Sequence, residues 1–359
     1  MSAVGSALAF DWYSFLFFRF IGGLGVGASS VAAPLYIAEI SPAKSRGRLV
    51  ALFQFNIVFG ILIAYFSNYL IGGTGASDWR WMLGIEGVPA IAFLVGMLVV
   101  PESPRWLILR RNRVAEAKAI LQAANPEVDA GKTVTEILVS AENDRTQHHE
   151  PFFSKKYQRP IMLAVAFAFF NQVSGINAII YYAPRIFEMT GLGTSAALLS
   201  SAGVGLVNFL FTLLALNFID RFGRRTLMLI GSVGLIFTLA LVSRAFFVED
   251  FGGYTVPVLL FIYIAFFAFS QGAVIWVFIS EIFPNQVRAS GQALGSFTHW
   301  FMAAVIAFTF PYVADTLGGG ATFLIFSVMM VFQLLFVWRV MPETKGTSLE
   351  QLEKEVVHQ

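Results

Sequence analysis

The chain has no cysteine among its 359 residues. Disulfides, thiolate nucleophiles and cysteine metal sites are therefore excluded. Histidine is scarce as well. His148 and His149 are adjacent, while His299 and His358 stand alone. That spacing offers no metal-ligand set. Charge is sparse, at 13% of residues, where a soluble domain carries about 25%. No Ser, His and Asp group together for hydrolysis, and no carboxylate pair does so. No phosphate-binding Walker loop is present, which removes ATP as a driving force. Gly22, Gly23, Gly25 and Gly27 do not follow the G-x-G-x-x-G spacing, and no strand precedes them. They read as small residues that let membrane helices approach. No enzymatic chemistry and no cofactor is expected.

What is abundant is apolar. Hydrophobic residues make up 57% of the chain, with 38 Phe, and the mean hydropathy is +0.71. A soluble protein of this size needs more polar surface than the sequence supplies. A membrane-spanning helix takes about 20 mostly apolar residues. Nine runs meet that length: 12–38, 48–71, 81–100, 160–184, 193–219, 226–247, 255–280, 292–314 and 320–341. Residues 1–10 form a shorter apolar remnant. Backbone groups in lipid must bond within the segment, so these runs predict helices, and the lipid bilayer is the first partner.

Lys and Arg gather on alternate loops. They cluster near Lys44, across 105–159, over 221–225, at Arg288, and at or after the end of the last span at Arg339, Lys345 and Lys354. The opposite loops carry Arg80, Arg185 and Arg244. Cytoplasmic loops collect positive charge, so the C-terminus is expected inside. No nucleic-acid partner is expected. The polar interruption at 101–159 includes Val114–Ala124, which predicts a short amphipathic helix.

The sequence repeats itself. PLYIAEISPAKSRG at 34–47 resembles WVFISEIFPNQVRA at 276–289, which pairs Glu39 with Glu281, Pro42 with Pro284 and Arg46 with Arg288 at a separation of 242. PESPR at 101–105 resembles PETKG at 342–346 at a separation of 241. Two parallel halves are one way to build a transporter. By that symmetry the first half begins about 80 residues before Met1, the length of two spans and most of a third.

These motifs resemble the sugar porter family of the major facilitator superfamily. The resemblance rests on RFIGG at 19–23, PLYIAEISPAKSRGR from 34, PESPRWL at 101–107, NQVSGINAIIYY at 171–182, DRFGRRT at 220–226, WVFISEIFP at 276–284 and PETKG at 342–346. It implies an all-α membrane fold of two six-helix bundles around a central sugar site, with alternating access. On this reading 1–100 is an incomplete first bundle, 101–159 a cytoplasmic linker, 160–341 a complete second bundle and 342–359 a cytoplasmic tail. Similarity to bacterial proton–sugar symporters implies an inner-membrane carrier.

A sugar is a ring of hydroxyls with an apolar face. Amides bind hydroxyls without burying charge, and indoles stack on the ring. Polar residues inside spans are costly and so are functional candidates. Gln54, Asn171, Gln172, Asn177, Asn208, Trp276 and Trp300 fit this description. By resemblance, Gln54, Gln172, Asn177, Asn208 and Trp276 fall on the family's sugar-contacting positions. Asn171 stands where many members have a second Gln. Gln172 and Asn177 do not share a face of a regular helix, but Gly175 between them can alter the winding. Ala273 replaces a proline common in the family, Ala268 replaces a Glu common in facilitative glucose transporters, and Gln271 adds an amide.

Arg19 and Glu86 are charges inside spans, and an opposed pair offsets the cost. The resemblance implies a part in coupling to a proton, the expected co-substrate. In symporters of this kind the Arg modulates an Asp on the first span. At the cytoplasmic ends of spans, Glu39, Arg46, Arg105, Asp220, Arg224, Arg225, Glu281 and Arg288 resemble the family's gating ion pairs. Three functions stay open at this point: a proton–monosaccharide symporter, a facilitative uniporter, and a transport-dead sugar sensor or truncated product.

Overall fold

An apolar stretch inside a bilayer has no water to bond its peptide groups, and a helix satisfies them within one segment. The computed structural model describes residues 1–41, 46–73, 75, 77–124, 129–146, 151–284 and 286–345. The side chains of residues 38, 46–48, 50–51, 140–141, 143–146 and 220 lie outside that description. The candidates Arg46 and Asp220, and His148, His149 and His358, therefore receive no side-chain account.

Helix α1 (Ser2–Ala7) leads into α2 (Trp12–Ile40). A capping box starts α2: Asp11 Oδ1 accepts the Ser14 N–H at 2.7 Å, and the Asp11 N–H donates to Ser14 Oγ at 3.3 Å. Next come α3 (Arg46–Ile71), α4 (Asp78–Gly84) and α5 (Gly87–Met97). Ile85 and Glu86, both in helical conformation, join α4 to α5, so the run expected over 81–100 is met by one stretch, Asp78–Met97. The polar interruption holds three helices: α6 (Pro104–Arg111), α7 (Val114–Ala124) and α8 (Ala130–Thr146). Ser103 caps α6 and Pro104 opens it, where its missing N–H costs nothing. The three close on a small core around Leu107 and Ala117.

The second half contains α9 (Gln158–Val173), α10 (Ile176–Met189), α11 (Thr194–Phe222), α12 (Arg224–Phe247), α13 (Thr255–Phe267), α14 (Ala273–Ile282) and α15 (Arg288–Arg339). Eight helical stretches among the described residues are long and apolar enough to cross a membrane. The last, α15, has 52 residues. At 1.5 Å per residue that is about 78 Å, more than twice a hydrocarbon core of about 30 Å. Gly318 breaks it, with φ 80 and ψ 161. Two legs result, covering the runs expected at 292–314 and 320–341.

A turn of π-helix, Ala268–Gly272, joins α13 to α14. With Ala273 rather than proline beside it, the N–H ladder continues through a wide turn instead of stopping.

Packing weight lies in the second half. Tyr263, Ile179, Phe267 and Met330 anchor one buried cluster, and Phe278, Leu163 and Trp276 a second. The most apolar windows of α9–α10 are 72% buried, against 6% for α2. The halves meet along α3 and α11, where the rings of Phe55 and Phe59 lie 5.4 Å and 5.7 Å from that of Phe209. Tyr65 Oη also donates to the Ile180 carbonyl.

Candidate functional site

The site starts from a break in the chain. Gly175 adopts φ 85 between α9 and α10, a conformation open to glycine at little cost. A Cβ there would lie 2.5 Å from Phe326 Cδ2, so close approach also requires glycine. Tyr263 Oη pins the break from α13 by donating to the Ser174 carbonyl at 2.9 Å. The turn brings α10 back towards the end of α9. Asn177 Nδ2 donates to Gln172 Oε1 at 2.7 Å. Gln172 Nε2 in turn donates to Asn171 Oδ1 at 2.9 Å. Gln172 is fully buried and Asn171 is 2% exposed. Three of the predicted amides therefore form one hydrogen-bonded row.

Indoles flank the row. Trp276 Nε1 donates to Gln54 Oε1 at 2.9 Å, which ties the second half to the first. Trp276 also packs edge-on to Phe53, with 6.0 Å between ring centres. Trp300 is partly buried on α15, and its Nε1 has no partner among the described residues. Asn171 Nδ2 is likewise buried without a partner. Asn208 is buried on α11 and stands outside the row.

His299 was not among the residues singled out from the sequence. Its ring nitrogens lie 3.2 Å and 3.3 Å from Gln172 Nε2. The ring is 5.0 Å from Trp276 and 5.2 Å from Trp300. The missed signal was positional. A titratable side chain sits inside an apolar span, immediately before one of the chosen indoles.

The Arg19 and Glu86 side chains approach to 3.6 Å. Both residues lie in helical stretches apolar enough to cross a membrane, Trp12–Ile37 and Asp78–Met97. Both groups line a cavity of about 990 Å³. Ser30, Ser296 and Trp300 line the same cavity. The charge pair and the indole thus face one space.

The charges expected at the cytoplasmic ends of spans make several contacts. Arg224 Nη2 meets Glu281 Oε1 at 2.8 Å, and Thr344 Oγ1 donates to the other Glu281 oxygen at 2.6 Å. Ser103 Oγ donates to Glu39. Arg105 lies on α6, and Arg288 begins α15. Arg225 donates Nε–H to the Val337 carbonyl at 3.3 Å and Nη2–H to that of Trp338. It therefore caps the end of α15. Glu343 is the acid that serves this corner. Its two oxygens accept the N–H groups of Arg224 and Arg225 at 2.9 Å and 3.0 Å, at the start of α12. Carboxylates are favoured there because the first N–H groups of a helix have no partner within it.

The row can bind hydroxyls. Each amide offers a donor and an acceptor without a net charge. The amides bond one another, which limits the cost of burying them.

Comparison with known proteins follows the same lines. Residues 1–356 match the sequence model of the family described as sugar (and other) transporters. The chain is 38% identical over 352 residues to the D-xylose-proton symporter of Escherichia coli K12, covering 94% of this chain and 71% of that protein. It is 35% identical over 362 residues to the glucose facilitated diffusion protein of Zymomonas mobilis, covering 98% of this chain and 75% of that one. Among solved structures, the proton:xylose symporter XylE from E. coli, bound to 6-bromo-6-deoxy-D-glucose, superposes with a TM-score of 0.82 at 35% identity. That match covers 99% of this chain and 80% of XylE.

Proposed function

The chain belongs to the sugar transporter family, and from that premise we propose that it carries a monosaccharide across the membrane together with a proton. It is an all-helical integral membrane protein of the major facilitator fold. The observation that carries the substrate reading is the uncharged row Asn171–Gln172–Asn177 beside Trp276 and His299, at the junction of the two halves. A charged substrate would call for an opposite charge in the row, and these residues supply amides and rings instead.

The transport cycle follows from the bonds. An arriving sugar exchanges its hydroxyls for the amide–amide bonds of the row, so net affinity stays moderate and release remains possible. The Trp276–Gln54 bond crosses between halves at the level of the row. Rocking one half against the other exposes the row to each side in turn. Arg19 and Glu86 are the groups we assign to proton coupling. The alternation of basic loops supports a cytoplasmic C-terminus.

The test is uptake into proteoliposomes with the external pH recorded. Symport predicts sugar entry accompanied by alkalinisation of the medium. The likeness to a facilitated diffusion protein favours a second reading, uniport, in which sugar enters with no pH change. Because the chain lacks cysteine, orientation is read from single substitutions. An impermeant maleimide should label Asp250→Cys from outside in intact cells and leave Lys155→Cys unlabelled.

A further inference from the structure

The aim of Trp276 depends on a turn that is wider than an α-helix allows. Ala268–Gly272 is wound as π-helix, and α14 starts directly after it at Ala273. An α-helix rotates by about 100° per residue, and a π-helical turn takes up one residue more. If the same residues closed to α winding, α14 would rotate by about that angle against α13. Trp276 is the fourth residue of α14. Such a rotation would carry its indole away from Gln54, which it now meets at 2.9 Å. Residues 268–275 contain no proline to prevent the closure. The wide turn must therefore be held by its neighbours.

We propose that Gly231 on α12 seats Ser270, holds the turn open and so aims Trp276 at the sugar; this rests on the monosaccharide reading above. Ser270 and Gln271 belong to the turn and are both fully buried. A Cβ on Gly231 would overlap Oγ and Cβ of Ser270. The side chain that Gly231 lacks is thus the space that Ser270 fills. From this seat Ser270 Oγ donates to the Phe266 carbonyl at 2.6 Å. A hydroxyl bonded back to the carbonyl four residues earlier bends a helix. The next residue, Gln271, places Nε2 3.4 Å from Met330 Sδ on α15. Helices α12 and α15 therefore both grip the turn. Closing it would draw Ser270 off Gly231 and Gln271 off Met330. Gly231 has no side chain to offer a sugar. It acts through Ser270 and the turn, and is a positioning residue.

The experiment measures sugar affinity by competition against labelled uptake in proteoliposomes, with the unfolding midpoint recorded for each variant. Gly231→Ala puts a methyl group into the seat and should weaken binding about tenfold, as expected when a buried contact is lost. Adding Ser270→Gly makes room for that methyl, which then meets the Phe266 carbonyl at 3.5 Å, an ordinary contact. The double variant should recover affinity to within about threefold of the parent, the remainder being the lost hydroxyl bond.

The deciding measurement repeats Gly231→Ala in a Trp276→Phe background. If Gly231 acts by aiming the indole, the added loss there should be under about twofold, because the two changes strike one interaction. The same tenfold loss in both backgrounds overturns the proposal and marks Gly231 as general packing. So does a Gly231→Ala protein with the parent's affinity, or a double variant that recovers nothing. If Gly231→Ala does not fold, Ser270→Ala carries the test, since it removes only the hydroxyl. It should weaken binding about threefold in the parent and leave Trp276→Phe unchanged; equal effects in the two overturn the proposal. A parent protein that takes up no monosaccharide fails earlier, at the transport reading, and the two failures are separate results.

Discussion

Asn177 donates to Gln172 across five residues, at 2.7 Å, because the helix between them is broken at Gly175. In an unbroken helix, side chains three or four apart are neighbours and those five apart are not. The row depends on that one left-handed residue. Gly175→Ala is therefore expected to do two things. Forcing Cβ into φ 85 costs about 1–2 kcal/mol, and displacing the Phe326 ring adds to it. Thermal unfolding in detergent should show a lowered midpoint. Sugar binding should fall more than the stability loss explains, because Asn177 no longer reaches Gln172. Unchanged affinity in a folded Ala variant would separate the break from the site.

Gln172→Leu removes the centre of the row and leaves the Asn177 donor and the Asn171 oxygen unpaired. Each buried orphan costs about 1–3 kcal/mol. Binding measured by equilibrium dialysis should weaken by at least about tenfold, or about 1.4 kcal/mol. Gln172→Asn should fall between the two, since the amide is kept but its reach is shortened.

Much of this was legible in the sequence, and the divisions have physical reasons. The long apolar runs predict their own helices, because lipid leaves the backbone no alternative. Gly175 was visible as a break because it interrupts a span between two amides. His299 was not legible as a member of the site. It is 127 residues from Gln172, and hydropathy carries no information about which helices meet. Arg225 was read as part of an ion pair, yet its guanidinium goes to the carbonyls of Val337 and Trp338. Glu343, more than a hundred residues away, takes the backbone N–H groups instead. Capping by a distant carboxylate leaves no local pattern to read. The π-helical turn at Ala268–Gly272 is similarly silent, since no proline or glycine pair marks its start.

Glu343→Ala should loosen that corner. The carboxylate satisfies two N–H groups at the start of α12 and also accepts those of Thr344 and Lys345, each at 3.0 Å. Loss of a helix cap costs about 0.5–2 kcal/mol. The unfolding midpoint should drop, and Glu343→Gln, which keeps one acceptor oxygen, should recover part of it. Sugar affinity should stay within about twofold, because the corner lies apart from the row.

Glu86→Gln tests the proton. The Arg19–Glu86 pair is separated by 3.6 Å within two spans. Removing the Glu86 charge leaves Arg19 without its opposed partner, so the unfolding midpoint should drop. Gln keeps the shape and the hydrogen-bonding oxygen but cannot take or release a proton. If the pair couples proton to sugar, accumulation driven by an inward proton gradient should be lost. Exchange of labelled for unlabelled sugar at equal concentrations should persist, since it needs no net proton movement. The row and Trp276 are untouched, so affinity should also persist. Under the uniport reading both assays should be unchanged, because a gradient never drove uptake. Loss of exchange together with accumulation would instead assign Glu86 to the shape of the cavity it shares with Trp300. These three patterns differ in which assay moves. The comparison of gradient-driven uptake with exchange therefore separates coupling from structure without reference to the sugar's identity.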